Sequence, residues 1–235
     1  MKQVKNSYVI ENVELWTDEK VISQARVVVE EGRLKSLTAS AAPANCPVID
    51  GRGYVLLPAG VDAQTHLRVP GQAHKETPRT GLLAALKGGY SAVLTMPNTQ
   101  PTIDSTAVLE KGRAEVKPFE EEFGVQVFWS AAITRKLNSD EPTDFKSLVD
   151  AGVRAFTNDG LGVNSDAVMD GAFEKLGKLG VPLLQHAEIP GHGGSMAPGP
   201  AQKKMGAKPY SDESEWKMVD RDIRELRKHP EARYH

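Results

Sequence analysis

The sequence predicts an α/β chain of about five β-α units behind a small β segment. Two patterns predict it. Short apolar runs at residues 55–65, 91–96, 125–130, 153–156 and 181–185 alternate with helix-period segments at 76–87, 106–117, 144–151, 165–179 and 212–228. That alternation is the signature of β-α units repeated around a parallel sheet or barrel. Ahead of it, residues 7–55 read as short strands at 8–10, 25–30 and 48–50, divided by the turn residues Glu31-Gly32 and Gly51-Arg52-Gly53. Residues 38–47, rich in alanine, serine and proline, read as a surface connection. The expected organisation is therefore a small β domain at 1–56 followed by a β-α portion at 57–235.

A closed (β/α) barrel has eight units, so five make either a short open sheet or part of a barrel. Ended after five, the sheet leaves its first and fifth strands with unpaired edges. In the last helical segment Trp216, Val219, Ile223 and Leu226 recur at spacings of three and four. That predicts one apolar stripe turned toward the sheet.

Composition narrows the partners. The chain has 235 residues, 40% of them hydrophobic and 26% charged, enough for a globular fold with a sizeable core. Lysine and arginine number 29 against 31 acidic residues, a net charge of −2, so no cationic surplus exists to hold nucleic acid. Cys46 is the only cysteine. It cannot form an internal disulfide, and a lone thiol suits a reducing compartment. No stretch approaches the roughly 20 apolar residues of a membrane helix, and residues 1–6 lack the apolar run of an export signal. The expectation is a cytoplasmic protein with neither membrane nor nucleic acid as partner.

Three strand ends carry the chemistry. The first apolar run closes in Asp62, Gln64, His66 and Arg68 at alternate positions, which puts four polar groups on one strand face. The four suit either a hydrogen-bonded network closing the strand or a site at the C-terminal rim of a barrel. The fourth run ends in Thr157-Asn158-Asp159-Gly160, where Asp159 is a turn residue, a helix cap or a ligand. His186 follows the fifth, as a core histidine or a ligand. Imidazole and carboxylate at the same edge suit a divalent transition metal, most often zinc. Asn98, in Met96-Pro97-Asn98-Thr99, is a turn residue or an amide facing a substrate. Arg68 offers the guanidinium fork that binds carboxylates.

These segments together resemble a known family. Pro58-Ala59-Gly60-Val61-Asp62 running into His66-Leu67-Arg68-Val69-Pro70-Gly71, then His74-Lys75-Glu76-Thr77, Lys87-Gly88-Gly89-Tyr90, Met96-Pro97-Asn98-Thr99 and Phe156-Thr157-Asn158-Asp159-Gly160 are similar to dihydroorotase of the amidohydrolase superfamily. The resemblance extends through Arg221-Asp222 to Arg233-Tyr234-His235. It implies an incomplete (β/α)8 TIM-type barrel behind a small β-sandwich-like N-terminal domain. It further implies metal-dependent interconversion of dihydroorotate and N-carbamoyl-aspartate in pyrimidine biosynthesis, with two zinc ions activating water.

Residue by residue, the resemblance makes His66, Asp159 and His186 metal ligands, and makes Arg68 and Asn98 the residues that hold the substrate carboxylate. Gln64 stands where the family carries a ligand histidine. The family's proton-transfer aspartate falls beyond His235, so no catalytic residue is assigned, and the chain alone is expected to be inactive. Gln64 also suits a second reading, a non-catalytic scaffold subunit beside aspartate transcarbamoylase. A homo-oligomer is a further possible assembly, and an allantoinase or hydantoinase would keep the chemistry while changing the ring. His74, His192 and His229 match no ligand position.

Overall fold

The computed structural model describes residues 7–39, 45–138, 140–189 and 191–235. The start at 1–6 and residues 40–44 of the expected connection lie outside the described residues. The chain forms two compact units, Met1–Ala59 and Gly60–His235.

The first unit is one mixed sheet of β1 (Tyr8–Trp16), β2 (Val21–Glu30), β3 (Arg33–Ser36), β4 (Val48–Asp50) and β5 (Val55–Leu56). Its order is β3-β2-β1-β4, with β5 also on β1. β1 and β2 outrun the short strands expected at 8–10 and 25–30. A register shift between Ile10 and Val13, where Asn12 has φ +60°, interrupts the simple alternation. Beyond it Val13 and Leu15 return to the core beside Ala25 and Val27.

The second unit repeats strand and helix. Its elements are β6 (Gly60–Thr65), α1 (Pro78–Lys87), β7 (Tyr90–Thr95), α2 (Thr106–Phe123), β8 (Gln126–Ala131), α3 (Phe145–Asp150), β9 (Ala155–Thr157), α4 (Asp166–Leu179), β10 (Leu183–Leu184), α5 (Pro200–Met205) and α6 (Glu213–Leu226), with a 3-10 turn at Arg135–Leu137. The five strands pair in parallel in the order β10-β9-β8-β7-β6, a curled half-barrel. Helix starts follow local chemistry. Thr77 caps α1 reciprocally with Thr80 ahead of Pro78, and Asp144 and Ser165 cap α3 and α4 through their side-chain oxygens. Between sheet and helices lies the core, with Trp129, Phe156, Phe173, Leu82, Leu109 and Leu148 inside.

Three expectations are corrected here. The fifth strand's outer edge is paired: Leu183 N–H donates to Arg233 O at 2.9 Å, His235 N–H to Leu183 O at 3.0 Å and Gln185 N–H to His235 O at 2.9 Å. Residues 233–235 thus lie along β10, with Tyr234 bridging Leu183 in parallel. In α6 the expected stripe is buried only in part: Leu226 packs against the core and Val219 is half-buried. Trp216 is 52% and Ile223 39% exposed, while Ser214, Met218, Arg221 and Asp222 are buried. A charged pair takes the inner face because its hydrogen bonds are satisfied there. Finally, α2 runs on through Pro118, past the predicted stop at 117. Among the described residues, no helix is long and apolar enough to cross a membrane.

Candidate active site

The strand-end residues meet at one edge of the parallel sheet. β6 ends at Thr65, with a register shift between Asp62 and Thr65, so the alternation predicted for 62, 64, 66 and 68 does not hold. Ala63 and its neighbour Gln64 both line the same cavity, while His66 and Arg68 sit in the loop beyond the strand, Arg68 at φ +59°. That loop lies against the one after β7: Gln100 N–H donates to Pro70 O at 3.2 Å. Gly71, at φ +85°, allows the approach, because a Cβ there would come within 1.7 Å of Gln100 O.

Asp159 is held from behind by its buried neighbour. Asn158 Oδ1 accepts from Ile133 N–H at 3.0 Å and Thr134 N–H at 3.1 Å, and its Nδ2 donates to Thr134 Oγ1 at 2.7 Å and Leu137 O at 2.9 Å. A fully satisfied amide of this kind makes the turn after β9 rigid. The following loop closes on the His186 segment at Gly162, φ +64°, where a Cβ would meet His186 O at 2.6 Å.

Around Asp159, whose side chain is 9% exposed, four groups converge. His66 Nε2 is 3.3 Å from Oδ2, and Asn98 Nδ2 donates to the same oxygen at 2.9 Å. On Oδ1, His186 Nδ1 stands at 3.6 Å and Gln64 Nε2 donates at 3.4 Å. The far nitrogens of both imidazoles are engaged as well. His66 Nδ1 lies 3.0 Å from Asn98 Oδ1, and His186 Nε2 lies 3.3 Å from Glu188 Oε2. Arg68 Nη1 donates to Asn98 Oδ1 at 3.5 Å.

This pattern decides which nitrogen carries a proton. Asn98 turns its nitrogen to Asp159, so its oxygen faces His66, and His66 must donate from Nδ1. Its Nε2 then meets the carboxylate either as an imidazolium N–H or as a lone pair sharing a cation with Asp159. His186 repeats the logic, with Glu188 as acceptor and Nδ1 toward Asp159. An imidazole whose outer N–H is taken by an oxygen acceptor while its inner nitrogen faces a carboxylate has the outer partners of a metal ligand. The donor set therefore fits a divalent cation in kind. In number it is short: among the described residues, no three His, Cys, Asp or Glu form a ready metal-holding group.

Asp159, His186, Gln64, Met96, Thr157 and His235 line a cavity of about 520 Å³ on the inner side of the sheet. A larger hollow of about 650 Å³ beside α2, lined by Arg113, Lys117 and Arg154, contains none of these groups. His74 and His192 are exposed, and His229 pairs with Asp170 at 2.9 Å. Sequence reasoning missed Glu188. Its only signal was its position two residues after His186, on a segment without periodicity.

Comparison with known proteins bears on the family and the fold. Residues 53–197 match the dihydro-orotase-like family model. The dihydroorotase of Elusimicrobium minutum is 36% identical over 234 residues, covering 99% of this chain and 52% of the relative. That of Listeria welshimeri is 33% identical over 218 residues, covering 92% and 50%. The chain thus spans about half the length of the curated relatives it matches. Among solved structures, an L-hydantoinase from Arthrobacter aurescens superposes with a TM-score of 0.70 at 15% identity, covering 94% of this chain and 51% of that one. A dihydroorotase from Campylobacter jejuni gives 0.51 at 15% identity, covering 75% and 46%. These likenesses establish the barrel fold, and since the family model takes in more than half of the sequence, the chain belongs to the dihydroorotase-like family.

Proposed function

We propose that the protein is a cyclic amide hydrolase that interconverts dihydroorotate and N-carbamoyl-aspartate, with His66, Asp159 and His186 as the residues that hold zinc. One observation carries the reading: two imidazoles approach different oxygens of one nearly buried carboxylate, each with its outer nitrogen already engaged. A bound divalent ion supplies Lewis acidity, polarising an amide carbonyl and making water acidic near neutral pH.

The chain's own residues do the rest. Asn98 keeps the His66 proton on Nδ1 and shares Asp159 with it. Arg68 spends one long hydrogen bond on Asn98 and keeps most of its donors for a substrate carboxylate, which a guanidinium grips in two places. Asn98 retains a second amide hydrogen for the same anion. The charge on such a substrate separates dihydroorotate from the uncharged hydantoin ring, so Arg68 favours the former. The lone Cys46 supports a reducing, cytoplasmic setting.

A second reading, a non-catalytic dihydroorotase-like subunit that assembles with aspartate transcarbamoylase, is favoured by Gln64 and by the short ligand set. Titration with dihydroorotate, with added zinc and with a chelator, separates the two. Zinc-dependent binding of dihydroorotate above hydantoin or dihydrouracil is expected. Absence of binding to all three, with zinc bound, sinks the catalytic reading and favours the scaffold.

A further inference from the structure

Behind the site lies an ion pair that the chemistry above does not use. Asp222 is fully buried and Arg221 is 7% exposed. Arg221 Nε donates to Asp222 Oδ1 at 2.6 Å, its Nη2 to Val163 O at 2.6 Å, and its Nη1 to Asn164 O at 3.1 Å and Asp166 Oδ1 at 3.0 Å. The other oxygen of Asp222 accepts from Gln185 Nε2 at 3.0 Å and from the Tyr234 hydroxyl at 3.0 Å. Gln185 Oε1 in turn accepts from Val163 N–H at 3.2 Å.

Three segments of the site therefore end on one pair: the loop after Asp159, the residue before His186, and the stretch 233–235 that bridges β10 and carries His235. Burying two charges costs desolvation that their attraction often fails to recover, and apolar replacements of similar size are often neutral or stabilising. Stability alone is thus a weak reason for the pair. Orientation is a stronger one, because only a guanidinium offers donors in a planar fork to several acceptors at once. Lysine cannot hold this arrangement.

We propose that Arg221 and Asp222 are positioning residues, which through Gln185 and the 163–166 loop hold His186 and Asp159 in register with each other. The proposal rests on the reading of these two as site residues, and its test separates the failures. The probe is the imidazole ¹H–¹⁵N spectrum of the 235-residue chain, with His229 as internal control. His229 follows α6 and is tied to Asp170, so any general loosening of that helix moves it too. In the apolar pair Arg221→Met/Asp222→Leu, the His186 resonances are expected to shift or double while those of His229 stay in place.

Cobalt affinity should fall in the same variant, because His186 and Asp159 would no longer be held in register to reach one ion. Unchanged His186 signals, or His186 and His229 moving together, overturn the proposal. If the double variant fails to fold, Gln185→Met cuts only the link to the His186 segment, and the same two outcomes apply to it. Cobalt affinity unaffected by His186→Ala would instead remove the metal reading and leave the spectral comparison to decide the positioning role.

Discussion

Asn98 donates its amide nitrogen to Asp159 Oδ2 at 2.9 Å, joining the loop after β7 to the end of β9 across 61 residues of sequence. That bond orients the amide, the amide sets the proton on His66, and the free nitrogen of His66 is then available beside Asp159. Removing Asn98 should therefore act at a distance of one group. In Asn98→Ala, zinc affinity measured by competition with a chromophoric chelator should fall about 10–100-fold, with the fold retained by circular dichroism. Unaltered affinity would mean that the His66 tautomer is set elsewhere.

Arg68→Ala should weaken substrate binding more than folding. Among the described residues its guanidinium makes one long hydrogen bond, whereas a charge-assisted pair with a substrate carboxylate is worth about 1.5–3 kcal/mol. That corresponds to roughly a ten- to hundredfold rise in apparent Kd for dihydroorotate by titration. A thermal midpoint close to that of the parent should accompany it. Equal affinity in parent and variant would take Arg68 out of the binding site.

Metal content should depend on His186 and Asp159 more than on Gln64, since a neutral amide is a weaker zinc donor than imidazole or carboxylate. Elemental analysis of His186→Ala, Asp159→Ala and Gln64→Ala is the measurement, and equal loss in all three would make Gln64 a ligand in its own right. Gln64→His completes the comparison. An imidazole at a position lining the same cavity should raise metal content above that of the parent.

The alternation of apolar runs made the parallel sheet readable, because strands such as β8 and β9 are largely buried and read as short apolar stretches. The residues at strand ends were readable for the same reason: Asp159 and His186 follow apolar runs that stop abruptly. What could not be read was any feature made by tertiary partners. The shift in β6 breaks the period of two at Gln64, and nothing in Asp62 to Thr65 announces it. In α6, Trp216 and Ile223 make the more apolar stripe, yet the face with Arg221 and Asp222 is buried because Val163, Asn164, Gln185 and Tyr234 come from elsewhere to meet it. Hydrophobic periodicity records one face's affinity for oil. It is silent about a charged face with enough partners.

Asp222 should also leave a mark on the pH dependence of stability. Burial pushes its carboxyl above the usual carboxylate range, against the opposing pull of Arg221, Gln185 and Tyr234. A carboxyl whose pKa is raised on folding binds its proton more tightly in the folded state. Its contribution is fully present below the unfolded value of about 3.9 and is lost as pH rises through the folded value. Asp222→Asn keeps the shape and cannot titrate. The parent's thermal midpoint minus that of Asp222→Asn should therefore shrink as pH rises from about 3.9 toward neutrality, a trend opposite to that of a carboxylate stabilised by its salt bridge. Melts of both proteins at matched ionic strength across this window make the comparison. A difference that widens with pH would show Arg221 outweighing burial, and the pair would then be a net source of stability, weakening the case that it is kept for orientation.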